Sequence, residues 1–181
     1  FYVNLLFNSI IGNTKNKFKA GLNFSFDQYL ETVDTFFFDR TDRSVGSFFE
    51  YSYDNLENFS FVGGARVDIH NRLGTFVTPR LHLRYLPQEK TIVRASIGSG
   101  RKAANIFAEN QTLFGTNRLI SIQQNGGSIY GLNPEIAWNY GVSVRQIFAL
   151  WGGDGDITAD YYITNFTDQV VVDWEKQGEI S

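Results

Sequence analysis

The sequence contains no cysteine and no methionine, and only three prolines and two histidines among its 181 residues. Without cysteine there is no disulfide framework, no thiolate zinc site and no cysteine nucleophile. Long apolar runs are also missing. The longest, such as Phe36 to Phe38, fall far short of the roughly 20 residues that a spanning helix needs. Sixteen basic residues against nineteen acidic ones leave a formal charge of -3, with no basic excess to follow a phosphate backbone, so nucleic acid is not an expected partner. No G-x-S-x-G elbow, H-E-x-x-H pair or Walker loop is present, and no enzyme activity is expected. The absence of methionine, with an opening FYVNLLFNSI that reads as the middle of a structured element, leads us to expect a piece of a longer chain.

What the sequence does have is alternation. From Ile136 to Leu150, Ile136, Trp138, Tyr140, Val142, Val144, Phe148 and Leu150 share one face, and Ala137, Asn139, Gly141, Ser143 and Arg145 the other. A period of two with unlike faces is the signature of a β-strand. The same split recurs over Phe18–Asp27, Phe61–His70, Pro79–Leu86 and Val93–Gly100, and less cleanly over Phe1–Ile10, Ser47–Tyr53 and Ile157–Phe166. The reading is all-β, an antiparallel meander of about eight strands with no helix. Short Asn-, Asp-, Gly- and Pro-rich links are expected at Asn13–Asn16, Asp54–Asn58, Pro87–Lys90 and Trp151–Asp156. Longer ones are expected at Gln28–Gly46, Asn71–Val77 and Lys102–Glu135, on the opposite end of the meander.

The polar face carries Arg66, Asp68, Arg80, Arg84, Arg94 and Arg145 in mid-strand, while the other face is nearly free of charge and rich in aromatics. A transmembrane barrel has an apolar face toward lipid, aromatic girdles, a polar lumen, and short turns opposite long loops. Part of such a barrel is the favoured architecture. A soluble carbohydrate-binding β domain and a small complete eight-stranded barrel acting as an adhesin or anchor are the alternatives. The last of these requires Phe1–Ile10 to pair with Ile157–Phe166.

Two stretches carry a family resemblance. TPRLHLRYLPQEKTIVRASIGSGRKAANIFAEN, Thr78 to Asn110, resembles the mid-barrel stretch of TonB-dependent outer-membrane receptors, in which a (Ser/Thr)-Pro-Arg strand precedes a hairpin and an R-A-S-x-G-x-G-(F/W)-R-x-(A/P)-N strand end. GLNPEIAWNYGVSVRQ, Gly131 to Gln146, is similar to the L-x-P-E-x-(S/A)-x-N-(Y/F)-E-x-G strand that follows in that family. Ser99 to Lys102 lacks the aromatic usual before the basic residue, and Gly141 stands where an acid is common. The resemblance implies a wall segment, residues 1–181, of a larger barrel in the bacterial outer membrane, closed inside by an N-terminal plug not found in this sequence. The implied partners are outer-membrane lipid, the protein's own plug, TonB, and a scarce solute such as a ferric siderophore, cobalamin or an oligosaccharide. No cofactor is implied.

Candidate solute contacts are the lumen residues Arg66, Asp68, Arg80, Arg84 and Arg94, and the long-loop residues Phe107, Asn110, Gln123 and Tyr130, with Gln111, Phe114 and Gln124 beside them. Facing like faces across the Pro79–Gly100 hairpin pairs Arg84 with Arg94, Tyr85 with Val93 and Leu83 with Ala95, around a loop centred on Glu89. Two like charges directly opposite are destabilising, so a carboxylate is expected nearby, from Asp68 or from the plug. His70 and His82 each lack an i, i+2 partner, so no metal site is expected. Gly152 to Asp156, GGDGD, reads as a tight turn rather than a calcium loop. FFFDRTDR, Phe36 to Arg43, reads as an interface girdle with a charged loop tip. Gly98-Ser-Gly100-Arg-Lys-Ala103 fits a dinucleotide turn in spacing, but Arg94 and Ser96 interrupt its strand, which such a fold would bury on both faces.

Overall fold

The computed structural model describes residues 1–33, 36–115, 118–150, 152–175 and 179–180. Eight strands form one antiparallel sheet: β1 (Tyr2–Ile10), β2 (Asn16–Val33), β3 (Phe36–Asp54), β4 (Phe59–His70), β5 (Gly74–Gln88), β6 (Thr91–Lys102), β8 (Glu135–Leu150) and β9 (Gly153–Asp168). Two residues, β7 (Leu119–Ile120), pair in parallel with β10 (Glu179–Ile180) apart from that sheet. Each sheet strand neighbours the next in sequence, and β1 pairs with β2 alone and β9 with β8 alone among the described residues. Both edges are therefore open. The pairing that a complete eight-stranded barrel would need, between β1 and β9, is absent.

The ladder assigns every strand residue to a face. One face presents Leu5, Leu22, Phe49, Val67, Ile69, Leu83, Val142 and Ile163, all exposed. At its short-turn end, Phe18 stacks on Phe49 with centroids 5.9 Å apart, and Tyr51, Tyr53, Phe59 and Phe61 form a run of ring contacts 5.7–6.5 Å between centroids. The other face is polar and holds the buried Asn23, Glu50, Asp68 and Ser143.

The expected pairing of Arg84 with Arg94, Tyr85 with Val93 and Leu83 with Ala95 is the observed register, closed by Gln88 against Thr91. Three expectations about the connections need correction. Gln28–Gly46 is not a long link: β2 and β3 continue pairing from Gln28 with Thr41 to Val33 with Phe36. There the outward side chains Gln28, Leu30, Thr32, Thr41 and Asp39 mix polar and apolar, so the hydropathy period fades while the backbone ladder carries on. FFFDRTDR accordingly lies in β3 and not at a loop tip, and positions 34 and 35 lie outside the described residues. Asn71–Val77 is likewise a tight turn between His70 and its partner Gly74. His70 Nδ1 accepts the N–H groups of Arg72 and Leu73 (3.1 and 3.2 Å), and Asn71 ties the turn to β3 by donating to the Thr41 carbonyl and accepting from Arg43 N–H.

Among the described residues the one long connection runs between Lys102 and Glu135, and it is not wholly irregular. A single helical turn, α1 (Ile106–Glu109), and a 3-10 turn (Gln111–Gly115) interrupt it, against the expectation of no helix. Residue 151 of the expected Trp151–Asp156 turn lies outside the described residues, and β9 already begins at Gly153.

Candidate functional site

The polar face is organised by rungs, in which residues facing one another on successive strands share a side. One rung runs Lys19, Glu50, Gly64, Arg80, Gly98, Asn139, Thr164. Glu50 is buried and sits between two cations: Lys19 Nζ lies 3.7 Å away, and Arg80 donates a hydrogen bond from two strands over. That reach passes over Gly64, where a Cβ would lie 2.7 Å from the Phe49 carbonyl and 3.1 Å from the Glu50 Cα. At the far end of the rung, Thr164 Oγ1 donates to Asn139 Oδ1 at 2.7 Å. In a second rung, Asn23, Gly46, Asp68, the glycine leaves room for the Asn23 and Asp68 side-chain oxygens and for Arg66 Nη2, which a Cβ there would meet. Arg66 grips Asp68 with two hydrogen bonds, Nε to Oδ2 at 2.7 Å and Nη2 to Oδ1 at 2.6 Å, the bidentate fork that suits a carboxylate.

Of the lumen candidates, then, Arg66, Asp68 and Arg80 satisfy one another or Glu50 within the wall. Arg84 and Arg94 face each other without a carboxylate. Asp68 is not their partner: Ser60 pairs with Arg84, and Asp68 lies eight residues further along β4, on the order of 26 Å at about 3.3 Å per residue. The Asp68 side chain is committed to Arg66.

At the other end of the sheet, residues 103–134 fold back over the polar face of the β2–β3 hairpin. Ala104, Ile106, Phe107, Leu113, Ile129 and Tyr130 are buried together, with Val33, Phe38, Leu73 and Leu132 packed against them. Phe107 and Tyr130 meet edge to face with centroids 5.7 Å apart, and Phe38 meets Tyr130 at 4.8 Å. These two candidate loop residues form the loop's own core and present no ring to open space. Asn110 is turned inward as well, its Nδ2 donating to the Ile106 carbonyl at 2.8 Å to close α1. Gln123 is exposed. It lines a cavity of about 330 Å³ with Asn125 and the apolar Leu113, Ile122, Leu132 and Val170.

Four polar ties fasten this cap. The Tyr130 hydroxyl donates to Glu31 Oε2. Arg40, buried between the Tyr29 and Tyr130 rings at 4.2 and 5.1 Å, donates to Asn105 Oδ1. Asp42 holds both Arg40 (3.5 Å) and Arg72 (3.2 Å), and Arg72 Nη1 reaches the Ser128 carbonyl at 3.4 Å. Lys102 Nζ bridges Glu109 and Glu135 at 3.0 and 3.1 Å, joining the two ends of the loop. Burial, with the hydrogen bond to Glu31 second, pushes the Tyr130 hydroxyl's pKa upward. Glu31, Arg40 and Asn105 were not singled out in the sequence. Glu31 and Arg40 sit in the stretch read as a connection, and the Tyr130–Glu31 contact spans 99 residues, beyond any local pattern.

Among the described residues no three His, Asp or Glu gather to hold a metal ion. No helix of the described residues is long and apolar enough to cross a membrane. Comparison with known proteins completes the description. No curated protein matches the sequence. Among solved structures, the siderophore receptor PirA of Pseudomonas aeruginosa superposes with a TM-score of 0.69 at 15% identity, over 99% of this chain and 32% of that one. A mutant of the ferric enterobactin receptor of the same organism superposes at 0.68 and 14%, over 94% of this chain and 27% of that one. This chain thus spans about a quarter to a third of the length of these structures. The likeness shows a shared fold. A family model described as TonB dependent receptor-like, beta-barrel, matches residues 2–178, and the chain belongs to that family, as a run of eight strands of its β-barrel.

Proposed function

We propose that this chain is a wall segment of an outer-membrane receptor that imports a siderophore-type metal chelate, energised through TonB, with a plug domain inside the barrel. The observation that carries the reading is an inversion of burial. Among the described residues, every buried apolar side chain lies between Ala104 and Tyr130, and every buried polar one, Asn23, Arg40, Asp42, Glu50, Asp68, Glu135 and Ser143, lies on a sheet strand. In water that distribution is unfavourable, because exposed apolar area costs roughly 25 cal/mol per Å². Against lipid it costs nothing, and the lumen side becomes the wet one. Family membership supports TonB dependence, and the two neighbours named above, a siderophore receptor and a ferric enterobactin receptor, support the solute class.

In this reading the barrel stands with the short turns toward the periplasm and the 103–134 cap outside. The cap lies across the lumen, with the exposed Gln123 and Asn125 rimming its cavity as the first contacts for an arriving chelate. The test is uptake of radioiron-labelled siderophores by cells whose only iron receptor is the full protein. Uptake that disappears when TonB is deleted supports the reading, and uptake indifferent to TonB contradicts it.

A further inference from the structure

The wall satisfies most of its polar-face arginines internally. Arg40 and Arg72 meet Asp42, Arg66 meets Asp68, Arg80 meets Glu50, and Arg145 meets Asp156 at 3.1 Å. Arg84 and Arg94 break the pattern. They are register partners on β5 and β6, and among the described residues neither has a hydrogen bond or ion pair.

Their rung shows why. It reads Asp54, Ser60, Arg84, Arg94, Ser143, Asp160, so the nearest carboxylate on each side lies two strands away. Elsewhere on this face the two-strand ion pair of Glu50 with Arg80 forms over a residue with no side chain, Gly64. Here a serine occupies that position on both sides. Asp54 is also engaged, its Oδ1 accepting the Leu56 N–H at 2.7 Å in the adjoining turn.

The two arginines line a groove of about 440 Å³ whose other polar side chains are Ser60, His82, Ser96, Ser143 and Tyr162. Hydroxyl and imidazole groups fill it, and no carboxylate does. Two facing cations about 5 Å apart at Cβ are destabilising until an anion lies between them, and guanidinium forks suit a carboxylate in both charge and shape.

We propose that Arg84 and Arg94 form a clamp for the carboxylate of an acidic side chain on the protein segment that fills the barrel. The proposal rests on the transport reading above, which supplies that segment. Position favours a protein carboxylate over a solute's: the rung lies near the short-turn end, closed by Gln88 with Thr91, whereas a solute arrives through the capped end.

The test uses the full receptor in outer-membrane vesicles with no solute added, and reads hydrogen exchange over the interior segment and over the strands. Arg84→Gln with Arg94→Gln is expected to speed exchange in the part of the interior segment facing this rung by about tenfold, with strand protection unchanged. Arg84→Lys with Arg94→Lys, which keeps both charges and guards against a folding artefact, is expected to retain most of the protection. Unchanged interior exchange in the Gln pair overturns the clamp. So does an equal effect from Asp54→Asn with Asp160→Asn, which would assign the arginines to the wall's own carboxylates. A receptor with no protected interior segment even before substitution overturns the transport reading itself.

Discussion

The mid-wall and the loop cap of this chain are built on opposite solvent rules. In the cap, Phe107 is 3% exposed and packs on Phe38, Phe114 and Tyr130, as in the interior of any water-soluble domain. In the wall, Leu22 is 55% exposed while Glu50 on the next strand is 7% exposed. The same chain therefore buries oil in the cap and charge in the wall, as the proposed lipid contact of the wall requires. Buried charge needs pairing or it is costly, and the wall meets this with ion pairs along a strand, Arg66 with Asp68, and across one, Glu50 with Arg80 over Gly64. The cap meets the ordinary demand with aromatic packing, and confines its polar contacts to a few ties back to the wall.

Substitutions distinguish the two rules, beginning with the largest effect. Phe107→Ala empties the centre of the cap and is expected to cost about 3–5 kcal/mol of local stability. Hydrogen exchange over residues 104–130 should quicken while the β-strands stay protected, and a loss spread over the whole sheet would show that the cap is not a separate unit. Leu22→Arg puts a charge in the middle of the apolar band, at an expected cost of about 2–4 kcal/mol when the protein unfolds from bilayers. If that face instead met water, the substitution would be nearly neutral.

Smaller effects probe the polar contacts. Tyr130→Phe leaves the Glu31 carboxylate without its donor, worth about 1–3 kcal/mol to the cap, and limited proteolysis near residue 130 should register the loosening. Gly64→Ala drives a methyl group into the Phe49 carbonyl and the Glu50 backbone, and about 1–3 kcal/mol of the wall's stability should go with it. Denaturant midpoints for Gly64→Ala and Gly100→Ala make the comparison, since a Cβ at Gly100 meets nothing within 4 Å. The smallest effect is one of pH. The Tyr130 pKa is raised in the fold, so its contact is complete below the ordinary tyrosine value of about 10 and is lost as pH climbs through the higher folded value. Ultraviolet difference spectra of the protein and its Tyr130→Phe variant should therefore coincide through pH 10 and separate only above it.

The parts of the fold that were legible in the sequence are those where the two faces of a strand differ in polarity. There the period of two is unambiguous, and aligning like faces was enough to place Arg84 against Arg94. Elsewhere the two faces do not differ. The outer reach of the β2–β3 hairpin, with Leu30 next to Glu31 and Asp39 next to Arg40, shows no periodic contrast although every residue from Gln28 to Val33 is paired. Sequence spacing could nominate Phe107 and Tyr130 as prominent loop residues. It could not show that they face each other, because the partners that turn them inward, Phe38, Glu31 and Arg40, lie on strands more than sixty residues away in sequence. Arg66, Asp68 and Arg80 were correctly placed on one face, but their pairings depend on Glu50 and on two glycines whose role is spatial.

The central claim is that the apolar face of this sheet lies in lipid and the polar face in water. This segment has no cysteine, so nitroxide labels can be introduced one at a time along Phe61 to His70 of the full receptor in membranes, with any cysteine elsewhere in it replaced. Collisional relaxation should then show Phe61, Gly63, Ala65, Val67 and Ile69 accessible to oxygen and shielded from a water-soluble relaxant, with Val62, Gly64, Arg66, Asp68 and His70 in the opposite state. Uniform access of the aqueous reagent to both sets, or an alternation of reversed phase, would contradict the account.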